Sequence, residues 1–209
     1  MTVSAPVTAL DRDAWYGERI AAYRRCFESL ASEPIGRAFW QAAAAMARCL
    51  AGGGTVFWCG NGGSAGDSQH LAAELVGRFG RPGRGWPSVA LTTDSSVLTA
   101  TANDFGYETV FERQAGVLVR PGDMLVAIST SGRSPNVLHA VEVARTKGAV
   151  TLALTGPADS PLGTAAGLVL RAPGETTSEI QTGHIALGQM LCEAAIQLAE
   201  ADSEEGGAC

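Results

Sequence analysis

The hydrophobic pattern changes character near residue 55. Before it, apolar residues recur at helical spacing. "AWYGERIAAYRRCFESL" carries Trp15, Ile20, Tyr23, Phe27 and Leu30, and the alanine-rich "GRAFWQAAAAMARCLAGGG" follows an interruption at Pro34 and stops at Gly52 to Gly54. After it, short runs that are apolar throughout alternate with helical patterns. "TVFWCG", "PSVALT", "DMLVAIST", "AVTLALTG" and "GLVLRAP" read as five strands. Helices are predicted from near Ser64 or Asp67, over "SPNVLHAVEVARTKG", and over the closing "TTSEIQTGHIALGQMLCEAAIQLAEA". Strands without polar alternation are covered on both faces, and strands separated by helices pair in parallel. The expectation is a doubly wound α/β sandwich in a single domain over 1–209. It divides into an N-terminal helical segment 1–54, an α/β core 55–201 and a frayed tail 202–209.

In such a sheet, ligands collect beyond the carboxyl ends of the strands, where loops and helix N-termini converge. The polar residues cluster there. "STSGRSPNV" follows the strand ending near Ile128, with Ser134 suited to the N-cap and Pro135 to the first helical position. Free backbone N–H groups and the positive helix end attract an anion. Ser129, Thr130, Ser131 and Ser134 add hydroxyls, so a phosphate cradle lacking a lysine is preferred to an ordinary capped turn.

The earlier loop, from Gly60, reads G-N-G-G-S-A. It fits the dinucleotide pattern G-x-G-x-x-A formally, yet the acidic residue expected roughly 20 positions on is absent, Asp94 lying well beyond. No G-K-[ST] occurs, which excludes a P-loop. No nucleotide cofactor is therefore expected. The glycines let the backbone approach a small ligand, with Asn61 and Ser64 supplying polar contacts. "SQHLAAELVG" then sets His70 and Glu74 four residues apart on one helical face, beside a stripe of Leu71, Leu75 and Phe79. An imidazole and a carboxylate there suit proton transfer or a metal; a solvated ion pair is the plainer alternative.

Composition narrows the partners. The net charge is −6 and no basic run occurs, which argues against a nucleic-acid surface. Cys26, Cys49, Cys59, Cys192 and Cys209 form no CxxC pair and read as buried or incidental thiols of a reducing compartment. The first residues lack a basic patch followed by an apolar core, and no run approaches the ~18 apolar residues of a membrane span. A cytoplasmic protein with no membrane partner is expected.

Five segments together, "CGNGGSAGDSQHLAAELVGRF", "ATANDFGYETVF", "ISTSGRSPNVLHAV", "TLALTGPADSPLGTAA" and "EIQTGHI", resemble the sugar-isomerase (SIS) domain proteins, and among them the phosphoheptose isomerase family. That resemblance implies a flavodoxin-like SIS fold, a homotetramer with active sites between subunits, and isomerisation of sedoheptulose 7-phosphate to an aldoheptose 7-phosphate. It implies substrate contacts from Asn61, Gly62, Gly63, Ser64, Asn103, Asp104 and Gln181, and phosphate contacts from Ser129, Thr130, Ser131 and Ser134. Glu74 becomes the general base, working through an enediol. His70, Glu74 and Gln181 match three positions that bind zinc in the metal-containing members.

The family's second active-site histidine is replaced here by Gln189, eight residues after Gln181, and Ser178-Glu179 stands where the family commonly has Asp-Arg. An amide oxygen is a poor zinc ligand and shuttles no proton at neutral pH, so a site with zinc and a site without it both stay open. Gln189 by position and His184 by proximity are the remaining candidates for the acid partner. His184 also falls in the stripe Ile180, His184, Leu187, Leu191, Leu198, which suits a core or an interface. Non-catalytic SIS-domain proteins that bind sugar phosphates or regulate other proteins are the alternative. The retained carboxylate of "QHLAAEL" favours the enzyme.

Overall fold

The computed structural model describes residues 11–77 and 84–206. Asp11 caps the first helix, α1 (Arg12–Leu30), its carboxylate accepting the Ala14 N–H at 3.1 Å. The second, α2 (Glu33–Ala51), starts at N-cap Ser32, so Pro34 lies in its first turn, where a missing N–H is harmless. The proline opens the helix rather than interrupting it.

Five strands follow in the predicted places: β1 (Val56–Gly60), β2 (Ser88–Ala90), β3 (Met124–Ser129), β4 (Val150–Thr155) and β5 (Leu168–Arg171). All pair in parallel in the order β2-β1-β3-β4-β5, the flavodoxin-like arrangement. Winding reverses between β1 and β3, and the loops leaving these two neighbours diverge to opposite faces. That opens a crevice at their carboxyl ends.

Helices cover both faces: α3 (Gly63–Gly77), α4 (Ser95–Phe105), α5 (Val110–Leu118), α6 (Pro135–Thr146), the short α7 (Pro161–Ala165) and α8 (Thr177–Gly206). Alternate strand residues serve two cores. Val56, Trp58, Met124, Val126, Ile128, Leu152 and Leu154 pack with α2, α3 and α8. Phe57, Cys59, Leu125, Ala127 and Ala153 pack with α5 and α6. Period-two alternation thus exists, but both sets are apolar because both faces are covered. Cys26, Cys49, Cys59 and Cys192 are buried and unpaired, as expected of structural thiols.

Four features differ from the sequence expectation. Helix α3 begins at Gly63, ahead of Ser64 and Asp67. Helices α4, α5 and α7 were not anticipated; α4 buries only Thr101, so its segment has no apolar period to read. The stripe on α1 is split: Trp15 and Ile20 are both 51% exposed and Phe27 48%, whereas Leu30 packs against the cluster of Ala172, Ile180 and Leu187. Only Ala22 and Cys26 of that helix are buried, where it leans on α8. Helix α8 continues through Gly206, into the segment expected to fray, while the last residues of that tail and Phe79 lie outside the described residues.

The start of α8 is fixed by a reciprocal cap. Glu179 N–H donates to Thr176 Oγ1 at 3.3 Å, and Glu179 Oε2 accepts the Thr176 N–H at 3.4 Å. The Glu175 N–H, donating to the same carboxylate at 2.8 Å, is the main reason its pKa lies below the usual carboxylate range. Arg19 of α1 adds an ion pair at 3.8 Å. The departure at Ser178-Glu179 therefore has a local use: it anchors the helix that carries Gln181 and Gln189.

Candidate active site

A cavity of about 270 Å³ opens at the reversal point between β1 and β3. Its floor is the β1–α3 turn, Asn61 to Ser64, and its rim is the β3–α6 loop, Ser129, Thr130, Ser131 and Ser134. Gln181 and Thr177 reach in from α8. Nine of the residues singled out from the sequence thus share one concavity, because two loops from adjacent parallel strands end at the same level.

The β3–α6 loop is shaped for an anion. Ser134 is the N-cap of α6 with Pro135 behind it, yet its hydroxyl makes no bond to its own helix. It turns instead to Ser129 Oγ, 3.3 Å away, and Ser129 Oγ also accepts the Gly132 N–H at 3.1 Å. Ser131 Oγ accepts the Arg133 N–H at 3.3 Å. Gly132 holds φ +59°, a left-handed conformation that curls the loop over the helix end. Helix N–H groups and hydroxyls converging on one point are an anion receptor.

Asn61 lines the cavity and also has a structural task. Its amide exchanges two 2.9 Å hydrogen bonds with Asn136, and Asn61 Oδ1 also accepts from Tyr107 Oη at 3.1 Å. The amide is largely spent on tying the β1–α3 turn to the start of α6. Asn136, Tyr107 and Thr177 were missed in the sequence. Asn136 directly follows the capping Ser-Pro pair, a position that could have marked it.

Helices α3 and α8 run side by side in the same direction. Gly63 faces Gln181, Leu71 faces Gly188, and the Cys192 thiol lies 3.8 Å from the Leu71 carbonyl. An added Cβ on Gly188 would fall 2.8 Å from Leu71 Cδ2, so the glycine sets how closely the helices approach. This in-step packing brings Gln189 to His70. His70 Nε2 lies 2.9 Å from Glu74 Oε1 and 3.2 Å from Gln189 Nε2. The His70 and Glu74 side chains are 49% and 25% exposed. They do not line the cavity; seven residues of helix, at 1.5 Å each, put His70 roughly 10 Å beyond Gly63.

Three other candidates fall elsewhere. Asn103 and Asp104 sit at the exposed end of α4, bonded to each other at 2.8 Å and away from the cavity. His184 is 0% exposed, and neither ring nitrogen has a hydrogen-bond partner. The Thr155 backbone lies near enough to favour the charged ring slightly, but outside bonding geometry, and burial dominates by lowering its pKa to about 4. His184 is a core residue of α8, so it is not brought to the cavity as an acid partner.

Burial of His184 predicts a pH effect on stability. The unfolded imidazole titrates near its ordinary 6.5 and the folded one near 4, so stability is full above the first value and lost as pH falls toward the second. Urea midpoints at pH 7 and 4.5 should fall less for His184→Leu than for the native chain. Equal losses would refute the assignment.

Asp67, also unforeseen, lies one helical turn before His70. Burial lifts its pKa to about 6, partly offset by His70, and its Oδ2 is buried without a hydrogen-bond partner. A D-x-x-H spacing on a helix would have revealed it.

The donor set does not fit zinc. Among the described residues no three His, Cys, Asp or Glu side chains gather where an ion could be held. One imidazole, one carboxylate and the amides of Gln181 and Gln189 remain. Zinc sites in proteins use thiolate, imidazole and carboxylate; amide oxygens suit harder cations. Gln181 is moreover packed against Gly63, where an added Cβ would meet its Cδ at 2.8 Å.

Comparison with known proteins agrees with this architecture. The SIS domain profile matches residues 15–156. The phosphoheptose isomerase of Rhodospirillum rubrum is 49% identical over 152 residues, spanning 73% of this chain and 81% of that one. Among solved structures, the phosphoheptose isomerase of Neisseria gonorrhoeae superposes with a TM-score of 0.77 at 38% identity, covering 88% of this chain and 96% of that one. The Francisella tularensis phosphoheptose isomerase gives 0.80 at 34%, covering 91% and 100%. With its parallel sheet, its serine-rich anion loop and its His70–Glu74 pair, this chain belongs to the phosphoheptose isomerase family of SIS-domain proteins.

Proposed function

We propose that the protein is an aldose–ketose isomerase acting on sedoheptulose 7-phosphate to give an aldoheptose 7-phosphate through an enediol. The observation that carries this reading is the in-step packing of α3 and α8, which strings an anion cradle and a carboxylate–imidazole pair along one line. Along α3 the pair lies two to three turns beyond Gly63 at the cavity floor, His70 roughly 10 Å and Glu74 roughly 16 Å along the axis, so phosphate is held at one end of the site and the reacting carbons lie toward the other. A module that merely bound a sugar phosphate would need the cradle but not the pair.

In this mechanism Ser129, Thr130, Ser131 and Ser134 hold the phosphate while the backbone of Gly62 and Gly63 borders the sugar. Glu74 takes a proton from C1 of the open-chain ketose and, after the resulting carboxylic acid exchanges with solvent, delivers one to C2 of the enediol. The Gln181 amide donates to the oxygen that carries the developing enediolate charge. The half-exposed stripe of Trp15, Ile20 and Phe27 supports assembly into a homotetramer, in which Asn103 and Asp104 would serve the sugar of an adjoining subunit. No described helix is long and apolar enough to cross a membrane, and the four described cysteines are unpaired, which supports a cytoplasmic setting.

Incubation with sedoheptulose 7-phosphate in deuterated water should place deuterium at C2, read by NMR; absence of label with the folded protein would overturn the reading. Ser131→Ala combined with Ser134→Ala removes two hydroxyls from the cradle. Hydrogen bonds to a charged group contribute about 1.5–3 kcal/mol each, so KM should rise at least tenfold. An unchanged KM would remove the cradle from the mechanism.

A further inference from the structure

Gln189 is the side chain that most separates this site from a metal centre, and its contacts say what it does instead. His70 Nε2 faces Glu74 Oε1 at 2.9 Å and the Gln189 amide at 3.2 Å. An imidazole nitrogen offers either one N–H or one lone pair, directed in the ring plane. If Nε2 carries the proton, it donates to the Glu74 carboxylate, and Gln189 turns its amide oxygen toward the same hydrogen. The 2.9 Å contact with an acceptor-only carboxylate selects the protonated nitrogen. Amide oxygen and nitrogen exchange by a half-turn of the side chain, so the Gln189 oxygen fits the position beside that hydrogen. The nitrogen is then satisfied by protein alone.

The arrangement is also difficult to relax. Gly188, next to Gln189, sits against Leu71, next to His70, with no room between the helices for even one added carbon. The packing of α3 on α8 thus sets the backbone of Gln189 beside that of His70, on helices and not on a loop.

We propose that Gln189 is a positioning residue that makes the His70–Glu74 pair independent of transition metals: its amide fixes the imidazole beside the carboxylate and takes the place where a metal-binding side chain would stand. The inference rests on the proposed isomerase reading for its kinetic consequence only, since the exclusion of metal is a property of the folded protein with or without substrate.

The test compares the native chain with Gln189→His and Gln189→Leu. Each is purified in the presence of zinc, dialysed against metal-free buffer and analysed for bound metal; Co²⁺ is then titrated in as a spectroscopic probe. The native chain should retain less than about 0.1 equivalent of zinc and develop no tetrahedral Co²⁺ bands, whereas Gln189→His, with a second imidazole, should retain about one equivalent and show them. Adding His70→Ala to Gln189→His should abolish that binding. Retention of one equivalent by the native chain would overturn the proposal, as would failure of folded Gln189→His to take up metal.

In turnover, chelator should leave the native rate unchanged. Gln189→Leu, which removes the amide without adding a ligand, should lower kcat by about 10-fold with KM little altered, the size of effect seen when a partner orienting an imidazole is lost. An unaltered kcat would show that Gln189 does not position His70. Should the protein fail to turn over sedoheptulose 7-phosphate at all, the metal measurements still decide the proposal, so the two failures are separable.

Discussion

Glu74→Gln is expected to lower kcat by roughly 10²–10⁴-fold, the usual contribution of a positioned general base, with KM nearly unchanged. The substitution preserves shape and the ability to hydrogen-bond His70, but an amide accepts no proton. Glu74 is placed for the role by a covered surface: its side chain is only 25% exposed, lies against His70, and sits on a helix whose other face, through Leu71 and Leu75, is locked in the core. The exchange touches none of that packing, so the urea midpoint should stay within experimental error of the native value. Single-turnover measurements with sedoheptulose 7-phosphate would then report on chemistry alone. A folded Glu74→Gln protein retaining more than a tenth of native kcat would eliminate the carboxylate as the base.

The second large effect is structural in origin and functional in readout. Gly132→Ala meets two obstacles at once. The residue holds φ +59°, where an L side chain is disfavoured by about 1–2 kcal/mol. Its added Cβ would also fall 2.5 Å from the Cβ of Ser160, a buried residue whose hydroxyl accepts the Gly163 N–H at 3.2 Å and caps α7. Forcing a carbon into such a contact typically costs about 1–3 kcal/mol. The sum is about 2–5 kcal/mol of lost stability, to be read from denaturant melts. Because Gly132 N–H also donates to Ser129 Oγ, the loop that opens to relieve the clash is the anion cradle. KM for the sugar phosphate should therefore rise more than kcat falls. A variant with native stability and native KM would show that the loop tolerates a side chain and is not rigidly shaped for an anion.

The two substitutions together separate the ends of the site. Loss at Glu74 is a loss of chemistry with binding retained; loss at Gly132 is a loss of binding with chemistry retained. A common effect on both parameters in both variants would argue that the cradle and the carboxylate do not act on the same molecule.

Much of this was legible before any coordinates. Five uninterrupted apolar runs separated by helical patterns required a two-sided parallel sheet, because a strand without polar alternation has no face to give to water. The Ser-Pro pair at the head of α6 announced a helix N-terminus facing the sheet's carboxyl edge, and the hydroxyls before it announced an anion. The four-residue spacing of His70 and Glu74 was enough to pair them, since local helix geometry alone decides it.

Other features escaped the sequence for a shared reason. The second role of Asn61 was hidden: besides lining the cavity, its amide bonds Asn136 and Tyr107, residues far along the chain that only folding brings near. The stripe on α1 was legible as an apolar face, but not that most of it is half exposed, because periodicity does not say what covers a face. Helix α4 went unread since it buries almost nothing.

What the sequence by itself determined is therefore what neighbouring residues can decide among themselves: the strands, the capped helix, the hydroxyl-rich turn and the imidazole–carboxylate pair. Only the tertiary structure decided which of these meet. The parallel, in-step packing of α3 on α8 sets Gln181 at the cradle and Gln189 against His70, and it sends His184 into the core. That outcome depends on Gly188 allowing two helices from opposite ends of the chain to touch, a contact between distant segments that no local pattern encodes.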